Sequence, residues 1–248
     1  MNVCVLTLFP DLFEPFWGHG IIRRAVEGQK LCPSTINIRD YAEGRHRVTD
    51  DRPYGGGCGM VMKPEPLTAA LKAAQSQMPA AATLMLSPQG KRFDQPLAHS
   101  LALADALILI CGRYEGVDER FVDQHVDAEI SIGDFVLTGG ELGAMVVIDA
   151  VVRLIPGVLG NRESAGNDTF SAGLVEHAHF TRPQTFGDEP VPDVLLSGNH
   201  HEIDRWRRQT ALMRTVLKRP DLLAQRNFSP EERALLVKWR REIDQLLG

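Results

Sequence analysis

The sequence predicts an α/β fold: a mostly parallel sheet covered by helices, followed by a small all-helical domain. Three observations carry that expectation. Strand-like and helix-like segments alternate from residue 1 to about 156, the pattern that crossover helices impose on a parallel sheet. The stretch 157–174, which opens GVLGNRESAGNDTF, holds four glycines and little apolar periodicity. From 175 onward apolar residues return at helical spacing. The expected organisation is therefore an α/β domain over 1–156, a flexible linker over 157–174 and a helical domain over 175–248.

The elements follow in order. VCVLTLF (Val3 to Phe9) is a short, continuously apolar run, which suits a buried strand, and Pro10 closes it. IIRRAVEG has helical character and stops near Gly28, and TINIRD alternates as a second strand. DDRPYGGGCGM breaks all regularity. EPLTAALKAAQSQ is a helix, with Pro66 early and Leu67, Ala70, Leu71 and Ala74 on one face. ATLMLSPQG is a strand ending in a turn, ADALILICGRYEG repeats that design, and AEISIGDFVLTGGE gives a third such end. ELGAMVVIDAVVRLIPG has the β-branched content of a strand. Its Met145, Ile148, Val152 and Ile155 nevertheless recur at helical spacing, and Asp149 and Arg153 form an i,i+4 pair, so a helix is expected after the Gly139-Gly140 turn. HHEIDRWRRQTALMRTVLKR is helical, and two more short amphipathic helices are expected over 221–248.

The chain has 248 residues, 44% of them hydrophobic, enough to bury a substantial core. Its net charge of −5 excludes a general basic coat but not a local basic patch. None of the four cysteines forms a CxxC pair, so neither a disulfide framework nor a zinc motif is expected. Cys4 and Cys111 sit in apolar runs and read as buried thiols. The N-terminus has no basic start or cleavage site, and no apolar run reaches the ~18 residues of a membrane span, so a cytoplasmic protein without a membrane segment is expected.

Two features carry chemistry. Open α/β sheets bind ligands beyond the carboxyl ends of their strands. Three ends here, SPQG (87–90), CGRYEG (111–116) and GDFVLTGGE (133–141), combine glycine-exposed backbone with an apolar wall from Leu86, Ile132 and Leu137. That mixture suits a small, partly aromatic cofactor, and equally suits plain tight turns. Neither GxGxxG nor GxxxxGK[ST] is present, so a dinucleotide or triphosphate loop is unsupported. The second feature is residues 201–226, where seven cations face three carboxylates, a local +4. Such a surface can track phosphates or be an ordinary solvated helix face.

LFPDLF, DDRPYGGGCGMVM, LSPQG, CGRYEGVDER, SIGDFVLTGGE, VVIDAVVRLIPGVLG, HFTRPQTF and VPDVLLSGNHHEIDRWR occur in that order over essentially the whole chain. Together they resemble the bacterial tRNA guanine-N1-methyltransferase family of the SPOUT class. The resemblance implies a SPOUT-type sheet with a deep C-terminal trefoil knot in the N-terminal domain, and a homodimer. It implies methyl transfer from S-adenosylmethionine to N1 of the guanosine immediately 3′ of the anticodon, where another guanosine precedes it. The cofactor is expected against Leu86, Ser87, Pro88, Gln89 and Gly90; Gly112, Tyr114 and Glu115; and Ile132, Gly133, Phe135, Leu137, Gly139 and Gly140. Asp168 corresponds to the general base, Arg153 to the arginine that stabilises charge near the reaction centre, and Glu115 to the acceptor for the guanine edge. Arg182, Arg205, Arg207, Arg208, Arg214 and Lys218 are expected to grip the anticodon arm of tRNA. The resemblance also implies a need for Mg2+, but no dedicated metal-ligand set is legible.

The chain departs from the family at Phe135, where tyrosine is usual, at Gly143, where proline is usual, and at Cys58, where proline or alanine is common. None removes a reacting group. Two other functions remain open at this point: a related knotted enzyme acting on another RNA atom, such as a ribose 2′-hydroxyl, and a non-catalytic RNA-binding protein.

Overall fold

The computed structural model describes residues 1–159, 169–170, 173–224 and 226–248. The chain divides into two compact units, Met1–Arg162 and Glu163–Gly248.

In the first unit the elements run β1 (Asn2–Thr7), α1 (Phe13–Trp17), α2 (Gly20–Glu27), β2 (Cys32–Asn37), β3 (Asp50–Asp51), β4 (Val61–Met62) and α3 (Pro64–Gln77). They continue with β5 (Ala82–Arg92), α4 (Gln95–Ala102), β6 (Ala106–Cys111), α5 (Glu119–His125), β7 (Ala128–Ser131) and α6 (Glu141–Val152). Five strands form one all-parallel sheet in the order β2-β1-β6-β5-β7, and β3 and β4 make a separate antiparallel pair. Pro33 lies in β2, an edge strand, where a missing N–H costs no ladder bond on the open side.

Both faces of the sheet are covered, which is why β1 and β6 read as unbroken apolar runs. Val3, Val5, Leu84, Leu107 and Leu109 pack on one face with Ile22, Ala98, Val147 and Val151 of the helices α2, α4 and α6. Cys4, Leu6, Met85, Ile108 and Ile110 pack on the other with Leu67, Leu71 and Phe121 of α3 and α5. The crossover helix α4 thus lies on one face and α5 on the other. The chain steps from β5 toward β1 through α4, then back across β5 to β7 through α5. This reversal opens a crevice at the carboxyl ends of β5, β6 and β7.

Several elements differ from expectation. β5 does not end at SPQG. Leu86 pairs with Ile130, residues 87–90 loop out, and Lys91 pairs with the same Ile130. The polar turn is an excursion within a longer strand, and a Cβ on Gly90 would collide with the backbone of Glu129 and Ile130, so the chain can rejoin β7 only through glycine. α1, α4 and α5, all eight residues or shorter, carry too little periodicity to be foreseen. Val158, within the expected linker, is buried in the first core. Residues 160–168 and 171–172 of that stretch lie outside the described residues.

The second unit holds a two-stranded pair, Thr185–Phe186 with Glu189–Pro190, a short helix Asp193–Leu196, the long helix His200–Lys218 and the C-terminal helix Pro230–Leu247. The two short helices expected over 221–248 are instead a 3-10 turn, Pro220–Leu223, and one continuous 18-residue helix. Ser229 starts that helix with a reciprocal capping box to Glu232, and Pro230 takes the first helical position. No helix among the described residues is long and apolar enough to cross a membrane.

Candidate active site

The three strand ends converge on one cleft of about 350 Å³. Its walls come from Leu86–Gln89 in the excursion of β5, Gly112–Val117 after β6, and Ile132–Gly133 and Phe135–Gly140 after β7. Thirteen of the fourteen residues expected to hold the cofactor line it; Gly90 stands behind the wall, packed on β7.

Each loop has a physical reason for its residues. Tyr114 adopts φ +61°, an uncommon left-handed conformation for a residue with a side chain, and Gly116 follows at φ +139°. Such strain in a cleft-lining residue is characteristic of binding sites. The turn is held from outside by the glycine-rich loop, where the Glu115 N–H donates to the Met60 carbonyl at 2.9 Å and the Met62 N–H to the Gly116 carbonyl at 2.9 Å. A Cβ on Gly59 would strike the Glu115 side chain, so at this point the glycine loop packs against the turn that lines the cleft. After β7, Gly133 and the Ser131 hydroxyl exchange hydrogen bonds of 3.2 and 3.1 Å, and the Phe135 ring folds over Gly133.

The glycine pair 139–140 serves close approach. The Gly140 N–H donates to the Gly112 carbonyl at 2.9 Å, and a Cβ there would sit 2.8 Å from the Cys111 Cα. A Cβ on Gly139 would displace both the Arg113 guanidinium and the Glu141 carboxylate. Those two groups form a buried ion pair that the sequence pattern did not reveal. Arg113 Nε lies 3.2 and 3.1 Å from the two Glu141 oxygens, and Nη2 is 3.0 Å from Oε2. Glu141 is 2% exposed, and the Thr7 hydroxyl at the end of β1 donates to it at 2.8 Å. Arg113 also stacks over the Phe9 ring, 4.3 Å from its centroid. The network ties β1, the loop after β6 and the start of α6 together beneath the cleft. Its only sequence signal was a pair of opposite charges, Arg in GRYEG and Glu in TGGE, each flanked by glycine. Burial, with the Glu141 charge adding to it, pushes the Cys111 thiol well up, against a smaller opposing pull from Arg113, so this thiol stays protonated behind the wall.

Arg153 caps the C-terminal end of α6, its N–H donating to the Asp149 carbonyl at 3.3 Å, and does not line the cleft. Asp168, the residue matching the general base, lies outside the described residues. In the second unit Arg205, Arg207, Arg208, Arg214 and Lys218 all lie on the helix His200–Lys218, and Arg182 precedes it on an exposed stretch. Arg207 pairs with Asp204 at 3.3 Å, Arg205 with Glu202 at 3.9 Å, and Arg214 Nε donates to the Glu176 carbonyl at 3.0 Å. Arg208 and Lys218 are exposed.

The cleft suits a bent ligand that is part ring and part zwitterion. Exposed Tyr114, Phe135 and Leu137 offer apolar cover, while the glycine turns offer backbone polar groups at its floor. A cleft at the carboxyl edge of an all-parallel α/β sheet is where such folds bind a small ligand. Residues 1–225 match the family described as tRNA (Guanine-1)-methyltransferase TrmD. Among similar proteins, a tRNA (guanine-N(1)-)-methyltransferase of Desulfatibacillum aliphaticivorans is 53% identical over 247 residues, covering 100% of this chain and 94% of the relative. One of Geobacter sulfurreducens is 55% identical, covering 98% and 99%, and one of Listeria monocytogenes is 46% identical, covering 96% and 98%. The chain belongs to the tRNA (guanine-1)-methyltransferase TrmD family, and its reaction is transfer of a methyl group from S-adenosylmethionine to N1 of a guanosine in tRNA, near the anticodon.

Proposed function

We propose that the target is the guanosine immediately 3′ of the anticodon, and that the cleft residues, Glu115, Arg153 and Asp168 divide the chemistry as follows. The observation that carries this reading is the cleft itself: three strand ends held so tightly that Gly139 and Gly140 have no room for a side chain, with Glu115 at its edge. When bound there, S-adenosylmethionine supplies an electrophilic methyl carbon on a sulfonium.

Guanine N1 carries a proton and is a poor nucleophile while it keeps it; its pKa lies far above the ~4 of a carboxylate. Glu115, an acceptor only, fits the two donors on the N1–N2 edge and orients the base. Asp168 would take the N1 proton, leaving that electron pair on N1 to accept the methyl group while the carbon–sulfur bonding pair stays on sulfur as a neutral thioether. Arg153 stabilises the negative charge that builds on O6 or orients Asp168. A base that comes into place only with RNA limits wasteful reaction of the cofactor.

The protein works as a homodimer in this reading. α6 is apolar beyond its inward face: Leu142 is 58% and Val146 48% exposed, in helical line with Arg153. A partner on that face would cover both residues, and the family resemblance implies that Asp168 of one subunit serves the pocket of the other. Arg182, Arg205, Arg207, Arg208, Arg214 and Lys218 take phosphates of the anticodon arm. An enzyme with this substrate acts in the cytoplasm. The described residues bring together no oxygen-only ligand set suited to Mg2+, so no step here is routed through that ion.

The test uses purified protein, Mg2+, methyl-labelled S-adenosylmethionine and two tRNA transcripts, one with guanosine 3′ of the anticodon preceded by guanosine, the other with adenosine there. Digestion and mass spectrometry should place the label at N1 of that guanosine and nowhere on the adenosine control. Asp168→Ala should cut transfer by about 100-fold or more with cofactor affinity unchanged. Label at a ribose, or full transfer by Asp168→Ala, contradicts the assignment.

A further inference from the structure

We propose that Glu176, His177 and His179, in the second unit, form a binding site for one transition-metal dication of the zinc class. The site lies outside the cleft, and none of its three ligand residues is assigned to methyl transfer or RNA contact. One ligand atom from each of the three side chains lies within 4.8 Å of the others. His179 Nε2 and a Glu176 oxygen are already 3.0 Å apart. Tetrahedral zinc, with bonds of about 2.0–2.2 Å, sets its ligands roughly 3.3–3.5 Å from one another, a spacing that side-chain rotation of His177 can reach from within 4.8 Å.

The backbone that carries these side chains is fixed before any ion arrives. The Val175 N–H donates to the Thr215 hydroxyl at 2.9 Å, and that hydroxyl donates to the Ala211 carbonyl at 2.7 Å. Arg214 Nε donates to the Glu176 carbonyl at 3.0 Å, and the Glu176 N–H donates to the Thr169 hydroxyl at 3.2 Å. The irregular segment is thus pinned along the helix His200–Lys218, whose Thr215 is fully buried. Trp206 of the same helix stands beside the His177 ring at 6.4 Å between centroids, and the two histidine rings lie 4.4 Å apart. Supporting contacts of this kind hold ligands near productive geometry.

The tautomer also fits. His177 Nδ1 is 3.1 Å from the Ala178 carbonyl. A carbonyl only accepts, so Nδ1 carries the proton and Nε2 presents its lone pair, the arrangement in which metal-bound histidines hand their second nitrogen to a backbone oxygen. Two imidazoles and one carboxylate select zinc, nickel, copper or iron over magnesium or calcium, which prefer all-oxygen shells. Three protein ligands leave the fourth tetrahedral position for water or another oxygen. Glu176 and His177 are half-buried and His179 is exposed, so the ion has a path in. Without an ion, the same residues keep the 3.0 Å His179–Glu176 contact and a tilted pair of histidine rings, which is the arrangement a purely structural role would leave unchanged.

The experiment uses full-length protein without a histidine tag, stripped with a chelator and titrated calorimetrically with Zn2+, with Co2+ as the spectroscopic probe. One equivalent per chain should bind, Co2+ should give the visible absorption of a low-coordinate nitrogen and oxygen site, and excess Mg2+ should not compete. The His177→Ala/His179→Ala double variant should lose affinity by about 100-fold or more, the upper end of what removing even a supporting partner costs a metal site. Its circular dichroism and thermal unfolding should match the parent's, which shows that the second unit is folded, and its affinity for S-adenosylmethionine should stay unchanged. Should that variant fail to fold, Glu176→Gln decides, with a smaller loss expected. Absence of stoichiometric binding, or equal binding by the substituted protein through other surface histidines, would overturn the proposal. Neither outcome bears on methyl transfer.

Discussion

The cofactor cleft and the basic helix use charge in opposite ways. In the cleft, two charges are buried and spent on each other: Glu141 is 2% exposed and meets Arg113 and Thr7. On the helix His200–Lys218 the charges stand in water, some neutralised by acids of the same helix, as with Arg207 and Asp204. The first arrangement fixes backbone to within a hydrogen bond. The second leaves long side chains free to find phosphates. In the proposed reading, one region specifies its ligand by shape and the other attracts tRNA by field.

The comparison can be broken first at Glu141. Replacing it with alanine leaves Arg113 buried without its partner, and loss of one member of such a pair costs about 3–5 kcal/mol. Arg113 keeps 20% of its side chain exposed, which favours the lower end. Thermal or urea unfolding should record that loss, together with weakened S-adenosylmethionine binding. A variant as stable as the parent would mean that the pair does not organise the cleft.

On the basic helix the expected effect is smaller and of another kind. Arg208→Ala with Lys218→Ala should leave unfolding unchanged and weaken tRNA binding. The slope of log affinity against log salt should fall by about one for each phosphate that is no longer neutralised. Filter binding over a range of salt concentrations measures it. An unchanged slope would remove these two residues from the interface.

The smallest effect concerns the C-terminal helix. Burial alone would raise the Glu232 carboxyl, but the Ser229 N–H and the Arg226 guanidinium outweigh it and hold the carboxyl below its usual range. A depressed folded value means stability that is present above the unfolded pKa of about 4.3 and is lost as pH falls through the lower folded value. Hydrogen exchange in Pro230–Leu247 should accelerate across that acid range, and Glu232→Ala should abolish the dependence. A pH-independent exchange profile would show that the capping box is not holding the helix.

The same contrast explains what the sequence disclosed. Apolar runs and helical spacing made β1, β6, α3 and α6 legible, because both faces of the sheet are buried and α6 packs as a helix should. The three cleft loops were legible because glycine stands where backbone meets backbone, as at Gly90 and Gly140. β5 was misjudged since SPQG has the composition of a turn, while the register that lets Lys91 return to Ile130 depends on a neighbouring strand. The C-terminal helix was divided because Pro220, Pro230 and Ser229 look like two separate starts, whereas only the second begins a long helix. The Arg113–Glu141 pair was invisible because 28 residues separate its members and only the fold brings them together. A knot, a matter of threading, leaves no mark on residue periodicity at all.

The most direct test of the central claim is calorimetric titration of S-adenosylmethionine into Gly140→Ala, with Arg208→Ala/Lys218→Ala alongside. A methyl group at Gly140 meets the Cys111 Cα rather than a flexible side chain, so the wall must shift. If the shift of the wall costs the bound state about 1–3 kcal/mol, cofactor affinity in that variant falls by roughly fivefold to 150-fold. The basic-helix variant should bind the cofactor as the parent does. Parental affinity in Gly140→Ala, or a loss in the helix variant, would contradict the assignment of the cofactor to the three strand ends.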